Sequence, residues 1–349
     1  MRLSIVIPVL NSEKTLPACL AAIAAQTLPR TDYEIVIADA GSSDRTVSIA
    51  RAAGVDVITA NPLRTGEAGK TAGIKAAHGE LIALVDSDNI LPDSTWLARM
   101  LVPFADPDVL ATEPISYTVR PQDPALTRYF ALLGMNDPLC LFTRNYDRTC
   151  VLTNRWTGLD VAQEDRGDWL KLRLTGDALP TIGANGFVFR RSLLDGANWD
   201  PYLFDIDILY ERILRDGTVS VAKVKTGIVH LYCARLGDFA RKQRRRIRDF
   251  LYFAQEKRRT YPWNRQRRAG IVLFCLSTVT VLPLLAQMLI GMRRRWDVAW
   301  LYHVPVCMLT LAIYGLGAFA RLLGRRPAPA DRTNWQKEPA YRPGAAMRE

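Results

Sequence analysis

Two aspartates, Asp86 and Asp88, stand two residues apart in Leu84-Val-Asp-Ser-Asp88, just after a short apolar run. Extended backbone sends alternate side chains to one side, so both carboxylates would face the same space. Two such charges repel unless a cation neutralises them. A divalent ion, Mg²⁺ or Mn²⁺, carrying a diphosphate meets that need. Such a pair also occurs in ordinary surface turns, and its place after a strand-like run is what favours the metal. Asp39 closes another apolar run, Tyr33–Ala38. A carboxylate there could accept bonds from a nucleobase N–H or a ribose hydroxyl, or instead cap the helix that follows. Asn11 follows a third run, Leu3–Val9.

These polar residues need elements to bring them together. Leu3–Val9, Tyr33–Ala38, Val55–Thr59 and Leu81–Val85 are short and rich in branched residues, as buried strands are. Between them lie helical segments. Ser12 is placed to cap a helix through about Gln26. Gly41-Ser-Ser43 opens another that ends before Gly54, Gly66–Gly79 is glycine-rich and then helical, and Asp93 or Ser94 caps a fourth. Strand–helix alternation predicts an α/β fold with a mostly parallel central sheet flanked by helices and joined by right-handed crossovers. In such folds ligands bind beyond the carboxyl ends of the strands. Asn11, Asp39, Asp86 and Asp88 all fall there.

Four segments together resemble family 2 glycosyltransferases of the type-A, Rossmann-like nucleotide-binding fold. They are Ser4-Ile-Val-Ile-Pro-Val-Leu-Asn-Ser-Glu13, Ile37-Ala-Asp-Ala-Gly-Ser-Ser-Asp44, Gly69-Lys-Thr-Ala-Gly-Ile-Lys-Ala-Ala-His-Gly79 and Leu84–Asp88. The resemblance covers residues 3–235. It implies that Pro8, Asn11, Glu13 and Asp39 lie around the base and ribose, that Asp86 and Asp88 hold the sugar-phosphate through a metal, and that Lys70 sits near the diphosphate. Leu10 stands where an aromatic is common, and Thr71 where a more polar run is usual. Downstream, Gly183-Ala-Asn-Gly-Phe-Val-Phe-Arg-Arg191 resembles the loop and strand below the sugar, with Asn185 free to approach a ligand closely. Phe204-Asp-Ile-Asp-Ile-Leu-Tyr210 resembles the acidic helix start that carries the acceptor base of inverting members. On a helix Asp205 and Asp207 diverge by about 200°. Asp205 is favoured because an acid at a helix N-terminus suits the dipole, with Asp207 the alternative. By the same resemblance His230 is a third metal ligand, a role a neutral imidazole can fill, or else a core histidine. Gln243-Arg-Arg-Arg246-Ile247 resembles the Gln-x-x-Arg-Trp motif of processive polysaccharide synthases, with Ile in place of Trp. The stretch reads mainly as membrane-facing.

The C-terminal third differs in character. The formal charge is +11, and between Arg235 and Arg268 thirteen basic residues face three acidic ones, so nearly the whole excess lies there. Ile247, Phe250, Leu251 and Ala254 recur at helical spacing within it, the pattern of a basic amphipathic helix on an anionic bilayer. Ala269–Met292 and Val298–Ala320 are uncharged, and about 24 helical residues reach about 36 Å, more than a hydrocarbon core. A transmembrane helical hairpin is therefore expected over 269–325, with Pro283 and Pro305 tolerated. Basic residues at its outer flanks favour a cytoplasmic catalytic domain, and the Arg293-Arg-Arg295 triplet in the turn opposes that. The expected organisation is a cytosolic catalytic domain (1–235), basic interfacial helices (236–268), the hairpin (269–325) and a disordered tail (326–349).

The reading that follows is a multi-pass enzyme of the plasma membrane. It takes sugar from a nucleoside-diphosphate donor, UDP favoured, and gives it to a lipid or lipid-linked acceptor with inversion. Anionic lipids are the further partner, and homo-oligomers are left open. A processive polysaccharide synthase and an inactive sugar-nucleotide or lipid-binding scaffold are the alternatives. Nucleic acid is not expected, because the basic stretch adjoins apolar runs and carries no recognition motif. Six cysteines without a CxxC pair argue against a disulfide framework or a structural zinc site.

Overall fold

The structure is a computed structural model that describes residues 3–324 apart from 184, 256–258 and 264–267. Lys257, Arg258, Arg265 and Arg267 of the basic stretch, and the tail 326–349, lie outside the described residues. In chain order the elements begin with β1 (Leu3–Val9), α1 (Leu16–Ala24), β2 (Tyr33–Asp39), α2 (Thr46–Ala52), β3 (Val57–Ala60), α3 (Gly66–Ala76) and β4 (Leu81–Leu84). Next come β5 (Asn89–Ile90), α4 (Trp96–Leu101), β6 (Val109–Tyr117), α5 (Ala125–Leu133), α6 (Leu139–Thr143), β7 (Ala162–Asp165), β8 (Trp169–Leu174) and β9 (Phe187–Arg190). The last are α7 (Asp205–Asp216), β10 (Val219–His230), α8 (Leu236–Gln255), α9 (Arg268–Thr280), α10 (Leu282–Arg294) and α11 (His303–Leu322). The described residues form two compact units, one from 3–114 and 161–230, the other from 115–160 and 231–324.

In the first unit the described strands form one mixed sheet in the order β3-β2-β1-β4-β9-β6-β10-β8-β7, with β5 paired to β10. The parallel pairing expected from strand–helix alternation holds for β1 to β4. Beyond β4 the pairs β4–β9, β6–β9, β7–β8 and β8–β10 are antiparallel, with β7 and β8 forming a hairpin. Ile5, Val6, Ile7, Val36 and Ile37 are fully buried. Each contributes about 1.5–3 kcal/mol of burial, which is why these runs are branched and apolar on both faces. Gly73 lets α3 lie on the sheet, since a Cβ there would stand 2.3 Å from Val6 Cγ1. Helix α1 starts at Leu16 rather than at Ser12, because Pro17 seats in its first turn.

Beneath the sheet's start, buried Glu34 accepts from Ser4 Oγ at 2.6 Å and from the His78 amide at 2.6 Å. Burial pushes its pKa up, but the Ser4 and His78 bonds outweigh this and hold it below the ordinary carboxylate value. A depressed carboxylate contributes stability that is full above its unfolded pKa and is lost as pH falls through the folded value. Glu34→Gln is expected to lower the thermal midpoint at pH 7, costing about 1–3 kcal/mol, and to flatten the acid limb of stability against pH. Unchanged midpoints at pH 7 would count against this role.

In the second unit Tyr129, Phe130, Tyr146, Phe239 and Trp300 form the centre of an aromatic core, with Tyr129 and Trp300 edge to face at 6.1 Å. The expected hairpin of two uninterrupted helices is not confirmed. The first apolar run breaks into α9 and α10, which meet at 92°. Val281 between them has φ of 63°, and Pro283 opens the new helix, so the break comes from a left-handed residue followed by a residue without an N–H. Among the described residues a single unbroken helix, Val298–Leu322, is long and apolar enough to cross a membrane, α9 and α10 reach that length only when taken together across their bend, and a multi-pass arrangement is not supported. The Gln-x-x-Arg segment also departs from expectation. Gln243 faces inward and is fully buried; its Oε1 accepts from Arg246 Nη1 at 2.9 Å and from Tyr314 at 3.2 Å. Ile247 packs against Gly317, where a Cβ would stand 3.0 Å from Ile247 Cγ1.

Candidate active site

The site is built at the carboxyl ends of β1, β2 and β4. Pairing of β1 with β2 sets Val9 beside Asp39, so the loops after the two strands meet. Asn11, in the left-handed region at φ 51°, accepts from Ser43 N at 2.9 Å through Oδ1, and its own N–H donates to Ser42 Oγ at 2.9 Å. Glu13 accepts from Arg45 Nε at 3.2 Å. Asp39 is almost wholly buried and closes its own turn: it accepts from the amides of Gly41 at 3.1 Å and Ser42 at 3.2 Å, and from Ser42 Oγ at 2.6 Å. The cap expected at the next helix is thus replaced by a tight turn, since α2 starts only at Thr46.

Helix α3 is begun by Thr65, whose hydroxyl accepts from Ala68 N at 3.1 Å. Its next turn rests on β1 through Gly69, where a Cβ would lie 2.7 Å from Pro8 Cβ. That contact sets the position of Lys70. Lys70 Nζ meets Asp205 Oδ2 at 2.5 Å, and both side chains are about one-eighth exposed. Asp205 is the first residue of α7 and crowds against Gly183, where a Cβ would fall 2.1 Å from the Asp205 Cβ. Asp205 Oδ1 is buried and takes no hydrogen bond. Burial pushes the Asp205 carboxyl up to about 6, with Lys70 opposing and Asp86 reinforcing the rise. For Lys70, burial pulls the other way but Asp205 and Asp86 prevail, and the ammonium is held above its ordinary value. Asp86 is therefore electrostatically part of this group. Asp207 is buried on the helix that Asp205 starts.

Asp88 follows in the next turn: the backbone leaves strand geometry after Leu84 and turns at Ser87–Asp88. Asp88 Oδ2 stands 3.6 Å from His230 Nε2. The short β5–β10 pairing, in which His230 lies opposite Asn89, brings the histidine there from the far end of a twelve-residue strand. Among the described residues no three His, Cys, Asp or Glu side chains gather closely enough to enclose an ion by themselves. The structure thus brings Asp88 to His230 and Asp86 within electrostatic reach of Lys70 and Asp205, and both acids act on buried Cys19.

Three residues that carry this geometry were not singled out from the sequence. Asn89 is fully buried; its Oδ1 accepts from Asp86 N at 2.9 Å and its Nδ2 donates to Asn185 Oδ1 at 2.9 Å. It therefore links the acidic turn to the Gly183–Gly186 loop, in which Asn185 has φ of 53°. Its place directly after Asp88 was the available signal. Glu113 on β6 and Lys223 on β10 form an ion pair with both side chains fully buried. Glu113 Oε1 also accepts from Gly183 N at 3.0 Å. No local pattern marks this pair, because their meeting depends on strand order.

Residues 4–155 match a family model described as Glycosyl transferase family 2. Glycosyltransferase AglE of Haloferax volcanii is 27% identical over 167 residues, covering 46% of this chain and 54% of that protein. The poly(ribitol-phosphate) beta-glucosyltransferase of Bacillus spizizenii is 37% identical over 103 residues, covering 28% of this chain and 16% of that protein. The chain thus spans about half of the first relative and about a sixth of the second. Mannosyltransferase PcManGT from Pyrobaculum calidifontis, solved with GDP-Man and Mn²⁺, shares the fold with a TM-score of 0.51 and 17% identity, over 93% of this chain and 88% of that one.

Proposed function

From a chain that carries a family 2 glycosyltransferase domain across residues 4–155, we infer an inverting glycosyltransferase. It moves a sugar from a nucleoside diphosphate, UDP favoured, to a lipid or lipid-linked acceptor at a membrane surface. The observation that carries this reading is the buried, unpartnered Oδ1 of Asp205, with its other oxygen held by Lys70 and Asp86 acting on both. An acceptor hydroxyl can donate to that oxygen, and Asp205 takes its proton as the oxygen attacks the anomeric carbon. Lys70 keeps the carboxylate oriented and adds positive charge near the departing diphosphate. Asn185, held by Asn89, supports the loop below the sugar. The loops carrying Asn11 and Asp39 cradle the base and ribose.

Asp88 and His230 offer one carboxylate oxygen and one imidazole nitrogen within 3.6 Å, a donor set that suits Mg²⁺ or Mn²⁺ when the diphosphate supplies the remaining oxygens. A bound divalent ion would offset charge growing on the leaving nucleoside diphosphate. Chelation is expected to stop transfer and Mn²⁺ to restore it. Asp88→Asn is expected to raise the Mn²⁺ concentration needed for half-maximal rate by about tenfold or more. An unchanged Mn²⁺ requirement in Asp88→Asn would remove the aspartate from the metal site.

The exposed apolar faces of α9, α10 and α11 and the arginines of α8 support a membrane location. A processive synthase is less well supported, because Gln243 is buried and Ile247 packs on Gly317, leaving neither to meet an acceptor sugar. The deciding experiment incubates membranes holding the full chain with a panel of labelled sugar nucleotides and then extracts them with organic solvent. Label in the lipid phase supports the proposal. Label in polymer favours the synthase, and nucleotide binding without any transfer would reduce the protein to a scaffold.

A further inference from the structure

We propose that the apolar C-terminal segment enters one leaflet of an anionic bilayer and lies along it, without crossing to the other side. The inference rests on the membrane reading above and deepens it.

A crossing segment must deliver its two ends to opposite faces of a core about 30 Å thick. The α9–α10 pair does the reverse. Its start docks on α6: a Cβ at Gly270 would lie 2.5 Å from the Phe142 carbonyl oxygen, and Phe274 meets the Phe142 ring at 5.2 Å. Its end docks close by in sequence. Arg294 Nη1 donates to the carbonyls of Val151 at 3.1 Å and Leu152 at 2.7 Å. Asp297, just beyond, accepts both arms of Arg128 on α5, each at 2.9 Å. Both ends therefore rest on residues within 125–152. At about 1.5 Å per residue each helix is about 20 Å long, and the 92° bend shortens their joint reach further.

Helix α11 is long enough to cross, but its partner forbids an upright pose. Its first residue, His303, bonds Tyr129 at 2.9 Å and Gln287 at 2.8 Å. One face then runs along α8, with Tyr314 on Gln243 and Gly317 on Ile247. The contacts advance in the same direction on both helices, so α11 lies alongside α8. The outer face of α8 carries exposed Arg241, Arg244, Arg245 and Arg248. Standing α11 across the membrane would carry those guanidinium groups toward hydrocarbon, at about 2.5–3.5 kcal/mol each even on the lenient scale. Laid flat, α8 keeps its arginines among the headgroups. The exposed side chains of the apolar helices, among them Val279, Leu282, Leu289, Leu316, Phe319 and Leu322, then enter the acyl region. An anionic leaflet is the occupant that answers both features at once: acyl chains meet the apolar faces and headgroup charge meets the arginine row.

The test places single cysteines at Lys14, Trp296 and Leu323 in the full chain and treats membrane vesicles with an impermeant maleimide, unaltered protein serving as the blank. All three side chains are exposed. The expected result is that Trp296→Cys and Leu323→Cys label in the same vesicle orientation as Lys14→Cys, inverted or right-side-out. Labelling of either in the opposite orientation overturns the one-leaflet arrangement and leaves the membrane location standing. Recovery of the chain in the soluble fraction, alone or as a self-associated species that covers the apolar faces, overturns both.

Discussion

Asp205→Asn is expected to lower transfer to a hydroxyl acceptor by about 10²–10⁴-fold, the usual contribution of a positioned general base. The amide keeps the shape of the carboxyl group and its contact with Lys70 but cannot take a proton. The pH profile gives a second check. With its carboxyl pushed up to about 6 by burial, Asp205 is ionised at pH 7 and becomes protonated as pH falls through 6. The kcat/KM of the unaltered enzyme should therefore decline below about pH 6, roughly tenfold per unit, and the residual activity of Asp205→Asn should lack that limb. Asp207→Asn should retain the limb. If the two variants exchanged these behaviours, the base would be Asp207. A loss well under tenfold in Asp205→Asn, with the acidic limb absent from both proteins, would point to an acceptor that arrives already ionised, such as a lipid phosphate.

The second large effect concerns stability and reaches the site indirectly. Glu113→Gln removes the carboxylate that faces Lys223 in a fully buried pair. Breaking a buried pair from one side costs about 3–5 kcal/mol, because the remaining charge stays out of water. Thermal unfolding should show a marked fall in midpoint for Glu113→Gln, and again for Lys223→Met. The double variant should recover most of the loss, since no lone charge then remains. In Glu113→Gln the amide oxygen can still accept from Gly183 N, so the Gly183–Gly186 loop keeps its anchor and transfer per folded molecule should fall less than stability does. Equal losses in the two single variants and the double variant would show that the charges do not act as a pair.

The strand positions of the first half were legible because β1, β2 and β4 are short branched runs buried on both faces, a pattern with few other outcomes. The polar residues at their ends were legible for the same reason, since a strand's end is visible wherever its apolar run stops. Lys70, Asp205 and Asn185 could be named from motif resemblance, but not their contacts. Lys70 lies 135 positions before Asp205 in the chain, and the two meet because Gly69 and Gly183 each leave out a side chain where backbone and Cβ atoms crowd. The approach of Asp88 to His230 was also hidden, because it depends on the β5–β10 pairing. At the C-terminal end, composition predicted apolar helices correctly, while the bend at Val281 and the docking of both ends on 125–152 depend on particular contacts rather than on hydropathy.

What the amino-acid order alone determined is the α/β beginning, the acids at the strand tips and the presence of long uncharged runs, because each is written in local periodicity and composition. What the tertiary structure decided is the antiparallel half of the sheet, the Asp205–Lys70 and Asp88–His230 pairings, the buried Glu113–Lys223 support and the folding back of the apolar helices. Each of these joins residues far apart in the chain, and such contacts are chosen by packing and by the burial of charge, which no local window records.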